Sequence, residues 1–282
     1  MRDAYLARLG LETEPPSVDA LFRLHRAHVE RVPYETLWIQ TGERWPVDPE
    51  VSAARVATTT RGGYCFHLNG ALSELLLALG YDVSRHVGGV HGPVGPAEGD
   101  LTNHLVLTVR GLPTDAHPDG TWYVDAGLGD ALHEPMPLRT GTYVQPPFRL
   151  ALEPVSDGIG EWHLTHDPAG GFTGMTWRAA PTTMDAFAER NEWLSTSPDS
   201  GFVRFLTAQR RDVAGVDILR GLTLKRLGDG ATDATLTTKA ELVDALGDLF
   251  GIDVATVDPT AFDEMWQRVH AAHLAWEAAG RP

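Results

Sequence analysis

Three residues of the sequence could together activate a nucleophile. Cys65, the only cysteine among 282 residues, follows Gly62 and Gly63 and precedes an apolar run with helical patterning. The N–H groups at a helix N-terminus favour a thiolate over a thiol, and they could later stabilise an oxyanion. His104 begins one apolar, strand-like run and Asp125 ends another. If those two strands are antiparallel neighbours, His104 could take the thiol proton while Asp125 orients the imidazole.

A structural interpretation competes with this one, because a single cysteine is often a small buried hydrophobe. One cysteine also excludes an intrachain disulfide and any zinc site with several cysteines. His67 is closer to Cys65 in sequence than His104, but residues two apart on a helix point away from each other.

We predict no metal site, since three His-x-x-His pairs lack the adjacent carboxylate of zinc proteases. These pairs are His25/His28, His163/His166 and His270/His273.

Composition narrows the class of protein. The net charge is −15, which argues against nucleic-acid binding because a basic stripe is absent. No run is long and apolar enough to predict a membrane span, and the first residues lack the apolar core of a signal peptide. We therefore expect a cytoplasmic protein with small-molecule partners and no membrane or nucleic-acid partner.

The elements that must position these residues change in character along the chain. Periodicity predicts helices first, then short strands separated by Gly, Pro, Asp and Asn, then a mixed region. The predicted helices are Val18–Val32, Leu68–Leu79, Phe187–Leu194, Ser200–Phe205, Lys239–Phe250 and Pro259–Ala279. The predicted strands are Tyr81–Val90, His104–Val109, Thr121–Asp125, Phe148–Val155, Glu161–His166, Leu219–Leu227 and Ala234–Thr238.

Several blocks of the sequence resemble the signature segments of the arylamine N-acetyltransferases. The most specific is Arg-Gly-Gly-Tyr-Cys-Phe at 61–66, followed by Asn-His-Leu at 103–105 and Val-Asp-Ala-Gly-Leu-Gly at 124–129. The segments 28–35 and 195–202 are similar to two further blocks of the family. The resemblance covers nearly the whole chain, in the order and spacing of the family.

The resemblance implies a Cys-His-Asp triad, acetyl-CoA as acyl donor and ping-pong transfer to an aromatic amine or hydrazine. It implies an α+β fold with an N-terminal helical bundle, a central antiparallel β-barrel and a C-terminal α/β lid, around a core like that of cysteine proteases and transglutaminases. We expect the bundle with the nucleophile at residues 1–80, the barrel with His and Asp at 81–183, and the lid at 184–282.

The resemblance also assigns expected roles around the triad Cys65, His104 and Asp125. The positions expected to bind the cofactor are Asn103, Gly127, Leu128 and Gly129. Those expected to line the substrate pocket are Tyr34, Phe66 and Phe202. Arg61 and Glu35 are expected to form a structural ion pair. Three positions depart from the family pattern, namely His67, Thr36 and Leu128. Because of them, the identity of the acceptor is less well predicted than the mechanism.

Other functions remain open at this point. Relatives of the family act as amide synthases that take an acyl chain from a carrier protein or from CoA, so an acyl carrier protein is a possible partner. The same triad could hydrolyse peptides, although nothing indicates a long peptide groove. A non-catalytic CoA-binding protein would keep the fold without the chemistry. The sequence is compatible with a monomer or a homodimer.

Overall fold

Helices dominate the first part of the chain. The computed structural model of the protein describes residues 1–156 and 158–280. The predicted helix at Val18 is confirmed, and the second predicted helix begins three residues earlier than expected, at Cys65. The first five helices are α1 (Arg2–Leu9), α2 (Val18–Arg31), α3 (Leu37–Gln40), α4 (Pro49–Thr58) and α5 (Cys65–Ala78), and a two-residue strand, β1 (Tyr34–Glu35), lies between α2 and α3.

Capping side chains and apolar faces account for these helices. The Ser17 hydroxyl accepts a hydrogen bond from the Ala20 N–H at 3.1 Å, which satisfies one unpaired donor at the start of α2. Asp48 caps α4 in the same way, with proline as the first helical residue. Helix α5 is buried on nearly all sides and packs against α4 and against the first strands of the barrel. A helix of this kind lies in the core, so its first residue is held rigidly.

The middle of the chain forms an eight-stranded antiparallel sheet that curls into a nearly closed barrel. Its strand order is β5-β4-β3-β2-β9-β8-β7-β6. The strands predicted at His104 and Phe148 are present, whereas β6 and β9 were not predicted. The strands are β2 (Asp82–His91), β3 (His104–Arg110), β4 (Trp122–Val124), β5 (Met136–Pro137), β6 (Gly141–Gln145), β7 (Phe148–Pro154), β8 (Trp162–Thr165) and β9 (Gly174–Pro181).

The C-terminal region places helices on a second antiparallel sheet, of order β1-β10-β11-β12-β13. The prediction of one strand over Leu219–Leu227 is wrong, because the chain reverses at Gly221, whose φ of 60° suits glycine. The elements are α6 (Ala188–Thr196), α7 (Gly201–Arg204), β10 (Thr207–Arg211), β11 (Gly215–Arg220), β12 (Thr223–Gly228), β13 (Thr232–Thr235), α8 (Lys239–Asp248) and α9 (Pro259–Ala278). Strand β1 comes from the N-terminal third, so this sheet joins distant parts of the chain.

The predicted fold class is therefore confirmed as α+β, with helices, an antiparallel barrel and a C-terminal α/β layer. The division into three units at residues 80 and 183 stays a prediction. Within the described ranges, no helix combines the length and apolarity that crossing a bilayer requires.

Candidate active site

Cys65 is the first residue of α5 and lies almost completely inside the protein, with 4% of its surface exposed. Gly63 makes the turn before it with a φ of 115°, a conformation that residues with a side chain rarely adopt. A Cβ at Gly63 would also lie 2.8 Å from the His67 Cβ. The thiol donates a long hydrogen bond to the Asn103 carbonyl, with 3.6 Å between Sγ and O. The glycine turn thus aims the thiol at the start of β3.

His104 and Asp125 meet because β3 and β4 pair antiparallel, as predicted. His104 Nε2 lies 2.7 Å from Asp125 Oδ2, so Nδ1 is the ring nitrogen left for the Cys65 thiol. Burial alone would lower the pKa of His104. The Asp125 carboxylate and hydrogen bonds to Asp125 and Cys65 outweigh it and raise that pKa to about 10. The imidazolium form is therefore favoured at neutral pH, which stabilises a thiolate beside it.

The Asp125 carboxylate accepts four hydrogen bonds. Besides His104, Oδ2 accepts from the Tyr123 hydroxyl at 2.8 Å, while Oδ1 accepts from Asn69 Nδ2 at 2.7 Å and from the Gly127 N–H at 2.9 Å. Burial would raise the pKa of Asp125, but the charge of His104 and the hydrogen bonds from His104, Asn69 and Gly127 lower it. A buried carboxylate needs such donors to stay charged, so this network keeps Asp125 ionised.

Asn69 and Tyr123 are two site residues that the sequence analysis missed. Asn69 Nδ2 also donates to the Leu105 carbonyl at 2.6 Å, and its Oδ1 accepts from the Ala126 N–H at 2.9 Å. The signals were present in the spacing. Asn69 is four residues after Cys65, so both lie on one face of α5, and Tyr123 precedes Asp125 by two, on the same face of the strand.

The loop expected to bind the cofactor packs tightly on the nucleophile. A Cβ at Gly127 would lie 2.8 Å from the Cys65 Cα, and one at Gly129, whose φ is 73°, would lie 1.8 Å from Gln209 Oε1. Leu128 is 8% exposed and packs in the barrel core. The Asn103 side chain exchanges two hydrogen bonds with the Val90 backbone, at 2.8 and 2.9 Å. These contacts give each of the four residues a structural role. The role of these residues in cofactor binding stays a prediction.

Aromatic side chains surround the approach to Cys65. The Phe202 ring lies 5.2 Å from that of Tyr64 and 6.3 Å from that of Tyr34. Burial and the charge of Cys65 raise the pKa of Tyr34 well above its ordinary value, so its phenol stays protonated. Phe66 differs from the other two predicted pocket residues, because it is fully buried and packs on Phe187 at 5.0 Å. Tyr34 and Phe202 are therefore better placed than Phe66 to contact a substrate.

The predicted ion pair between Arg61 and Glu35 is confirmed. Nε and Nη2 of Arg61 donate to the two Glu35 carboxylate oxygens at 3.0 and 3.1 Å. Glu35 is fully buried and also accepts from the Leu37 N–H at 2.7 Å. Thr36, where the family usually has asparagine, accepts a hydrogen bond from the Thr207 N–H at 3.0 Å. The ion pair fixes the segment that carries Tyr34 against the segment that leads to Cys65, and the Thr36 bond fixes it against β10.

His67 points away from the thiol, as expected from helical geometry. Its ring stands edge-on to Trp38, Trp45 and Tyr64, at 5.3, 5.7 and 4.8 Å between centroids. Burial, and then the charge of Arg55, hold the pKa of His67 well below its ordinary value, so it is neutral. Among the described residues, no cluster of three or more His, Cys, Asp or Glu side chains could hold a metal ion.

Comparison with known proteins places this geometry in a family. A family model described as N-acetyltransferase matches residues 17–258. The arylamine N-acetyltransferase of Mycobacterium tuberculosis is 32% identical over 94% of this chain and 95% of its own length, and that of Mycolicibacterium smegmatis is 31% identical over 89% and 91%. The solved structure of Mycobacterium marinum arylamine N-acetyltransferase in complex with CoA superposes with a TM-score of 0.83, at 28% identity, over 96% of this chain and 99% of that one. The chain belongs to the arylamine N-acetyltransferase family.

Proposed function

We propose that this protein transfers an acetyl group from acetyl-CoA to an arylamine or arylhydrazine through a thioester on Cys65. The observation that carries the proposal is the chain of contacts from the Cys65 thiol to His104 and from His104 Nε2 to Asp125, with 2.7 Å between the last two. A thiol beside an imidazole that a buried carboxylate orients is the arrangement that activates cysteine nucleophiles.

In the first half-reaction, the Cys65 thiolate attacks the carbonyl carbon of the donor thioester. A bond forms between Sγ and this carbon, and the carbonyl electrons move to the oxygen, which the first N–H groups of α5 can stabilise. The tetrahedral intermediate then collapses and breaks the bond to the CoA sulfur. The departing thiolate takes the proton from the His104 imidazolium, so CoA leaves as a thiol.

In the second half-reaction, the amine attacks the acetyl-cysteine carbonyl. His104 is now neutral and accepts the proton that the nitrogen loses as its bond to carbon forms. Breaking the carbon–sulfur bond releases the amide and restores the thiolate beside an imidazolium. The pKa of His104, raised to about 10, favours this return to the charged pair.

The aromatic wall beside the nucleophile supports an aromatic acceptor. Phe202 and Tyr34 offer ring faces and edges near Cys65, and aromatic groups favour ring stacking or edge contacts with one another. The two mycobacterial relatives are arylamine N-acetyltransferases, which agrees with that acceptor class.

Intact-mass measurement after mixing with acetyl-CoA tests the thioester. We expect the protein to gain one acetyl group, Cys65→Ala to gain none, and His104→Gln to gain it far more slowly. His117→Gln provides a matched control, because His117 is also buried and its Nε2 donates to the Thr121 carbonyl at 2.7 Å, away from the thiol. An unmodified wild-type protein, or an equal adduct in Cys65→Ala, would contradict the proposal.

A further inference from the structure

A second buried carboxylate lies at the far end of the turn that packs on Cys65. The turn begins at Asp125, which belongs to the candidate active site, and ends at Asp130, to which the proposed chemistry gives no role. A Cβ at Gly127 would lie 2.8 Å from the Cys65 Cα, so the turn is in close contact with the nucleophile. Asp130 is 1% exposed, and a carboxylate buried so deeply needs partners. Those partners show what holds this end of the turn.

The Asp130 carboxylate binds the loop between β8 and β9. Its Oδ2 accepts a hydrogen bond from the Gly171 N–H at 2.6 Å, and its Oδ1 lies 3.7 Å from His166 Nε2. A Cβ at Gly171 would lie 3.1 Å from Oδ2, so this close approach favours a residue without a side chain. One carboxylate therefore joins the β8–β9 loop to the turn beside the nucleophile.

His166 is held in place by contacts other than the one to Asp130. Its Nδ1 donates to the Asp167 carbonyl at 3.1 Å, and its ring stands edge-on to those of Phe148 and Phe172, with 4.9 and 4.4 Å between centroids. The nitrogen that faces Asp130 is thus Nε2, which has no hydrogen-bond partner in the part of the chain that the structure describes. The loop therefore presents a fixed surface on which the Asp130 carboxylate rests.

The turn is held at each end by a buried carboxylate. At its start, Asp125 Oδ1 accepts from the Gly127 N–H at 2.9 Å. At its end, the Asp130 side chain binds the β8–β9 loop, and the Asp130 N–H donates to the Leu128 carbonyl at 2.8 Å. A short segment fixed at both ends has little conformational freedom, so the loss of one anchor should let the turn shift relative to Cys65.

We propose that Asp130 is a positioning residue for acyl transfer, which holds the turn at 126–129 against Cys65 by binding Gly171 and His166. The inference rests on the proposed acyl transfer and adds a residue to it. The carbonyl carbon of a reacting substrate must come within about 3–3.5 Å of the thiol, in space that this turn borders. A misplacement of about 1 Å in such a site can cost on the order of 100-fold in rate.

Acylation by acetyl-CoA, followed by intact mass, tests the anchor with two variants of similar volume. Asp130→Leu removes both contacts and should slow acylation about 10-fold or more. Asp130→Asn keeps an oxygen that accepts from the Gly171 N–H and offers an amide N–H to His166 Nε2. It should therefore retain a rate within about 3-fold of wild type.

Leu246→Ala is the control for lost stability, because Leu246 is fully buried on α8 in the apolar cluster of the C-terminal layer. A third variant, His166→Asn, keeps a donor for the Asp167 carbonyl but lacks Nε2, and it should slow acylation about 3-fold. Equal rates in Asp130→Leu and Leu246→Ala would overturn the inference. If Asp130→Leu does not fold, a wild-type rate in His166→Asn would overturn it.

Alkylation by iodoacetamide separates the turn from the activation of the thiol. Cys65 is the only cysteine, so alkylation reports on this thiol alone. The rate depends on the thiolate that His104 and Asp125 stabilise, and in Asp130→Leu it should stay within about 2-fold of wild type while acylation falls. If alkylation and acylation fall by the same factor, Asp130 acts on thiol activation and the inference is wrong.

Hydrogen exchange tests the anchor without any chemistry. Peptides that cover residues 126–131 should exchange about 10-fold faster in Asp130→Leu than in wild type and in Leu246→Ala. Unchanged exchange in these peptides would overturn the inference. If exchange rises as expected but acetyl-CoA does not acylate the wild-type protein, Asp130 still anchors the turn and the proposed acyl transfer is the part that fails.

Discussion

Replacing Asn69 with alanine would remove three buried hydrogen bonds at once. Asn69 Nδ2 donates to the Leu105 carbonyl and to the Asp125 carboxylate, and its Oδ1 accepts from the Ala126 N–H. The bond to the charged carboxylate contributes about 2 kcal/mol, and each of the two backbone groups left unpaired costs about 1 kcal/mol. The free energy of unfolding of Asn69→Ala should therefore fall by about 4 kcal/mol.

The same substitution should slow acylation beyond its effect on stability. Asp125 would lose one of four donors, so its carboxylate would be less firmly oriented toward His104. The control is Leu76→Ala, because Leu76 is fully buried on the same helix and takes no part in the network. A buried leucine replaced by alanine also costs about 2–5 kcal/mol of stability.

Urea unfolding gives the stability of each variant, and rapid-mixing mass spectrometry gives the acylation rate at a temperature where both are folded. We expect Asn69→Ala to be acylated at least about 10-fold more slowly than Leu76→Ala, which is the loss of roughly 1.4 kcal/mol of transition-state stabilisation. Equal rates in the two variants would refute the reasoning and make Asn69 a purely structural residue.

Three further predictions concern the site and its support. Asp125→Asn should slow acylation by about 1,000-fold or more, measured by intact mass, because His104 would lose its orienting charge; an undiminished rate would remove Asp125 from the mechanism. Gly127→Ala should lower thermal stability by about 1–3 kcal/mol, because its Cβ would lie 2.8 Å from the Cys65 Cα, and an unchanged melting temperature would contradict that packing. Burial and then the nearby His25 and Arg8 lower the pKa of His28 to about 3. The unfolded chain therefore binds more protons than the folded one. As pH falls from about 6.5 toward 3, His28 should lower the free energy of unfolding by roughly 1.4 kcal/mol per pH unit. Urea titrations at several pH values should find a smaller loss of stability in His28→Leu. If the free energy of unfolding falls with pH at the same slope in wild type and variant, the assignment to His28 is wrong.

The sequence predicted the reacting groups better than the groups that hold them. Cys65, His104 and Asp125 could be found because reactive residue types stood at the ends of patterned segments. The spacing of Asn69 from Cys65 placed it on the nucleophile's face of α5, but its role depends on contacts with Leu105 and Ala126, which are far away in sequence. Local pattern cannot reveal such pairings before the strands are assembled.

Strand β10 shows a second limit of local reasoning. Its sequence, Thr-Ala-Gln-Arg-Arg, lacks the alternation of a half-buried strand, and Arg211 belongs to a pair that reads as surface charge. In the structure Arg211 is 1% exposed and donates to carbonyls of Ala131, Gln145 and Gly215. A buried arginine is stable only when its donors are paired, and its acceptors come from the barrel and the neighbouring strand. Only the tertiary fold makes that position a strand.

During synthesis, β1 is made long before β10, the strand with which it pairs. Tyr34 and Glu35 find their strand partners, Gln209 and Ala208, only after most of the chain has been made. At about 5–20 residues per second, the ribosome reaches β10 on the order of 10 s after it has added Cys65. We expect the nascent chain to carry an incomplete site during that interval, because the segment with Tyr34 has no sheet to join. An interrupted chain would therefore release a cysteine with little reactivity toward acyl thioesters.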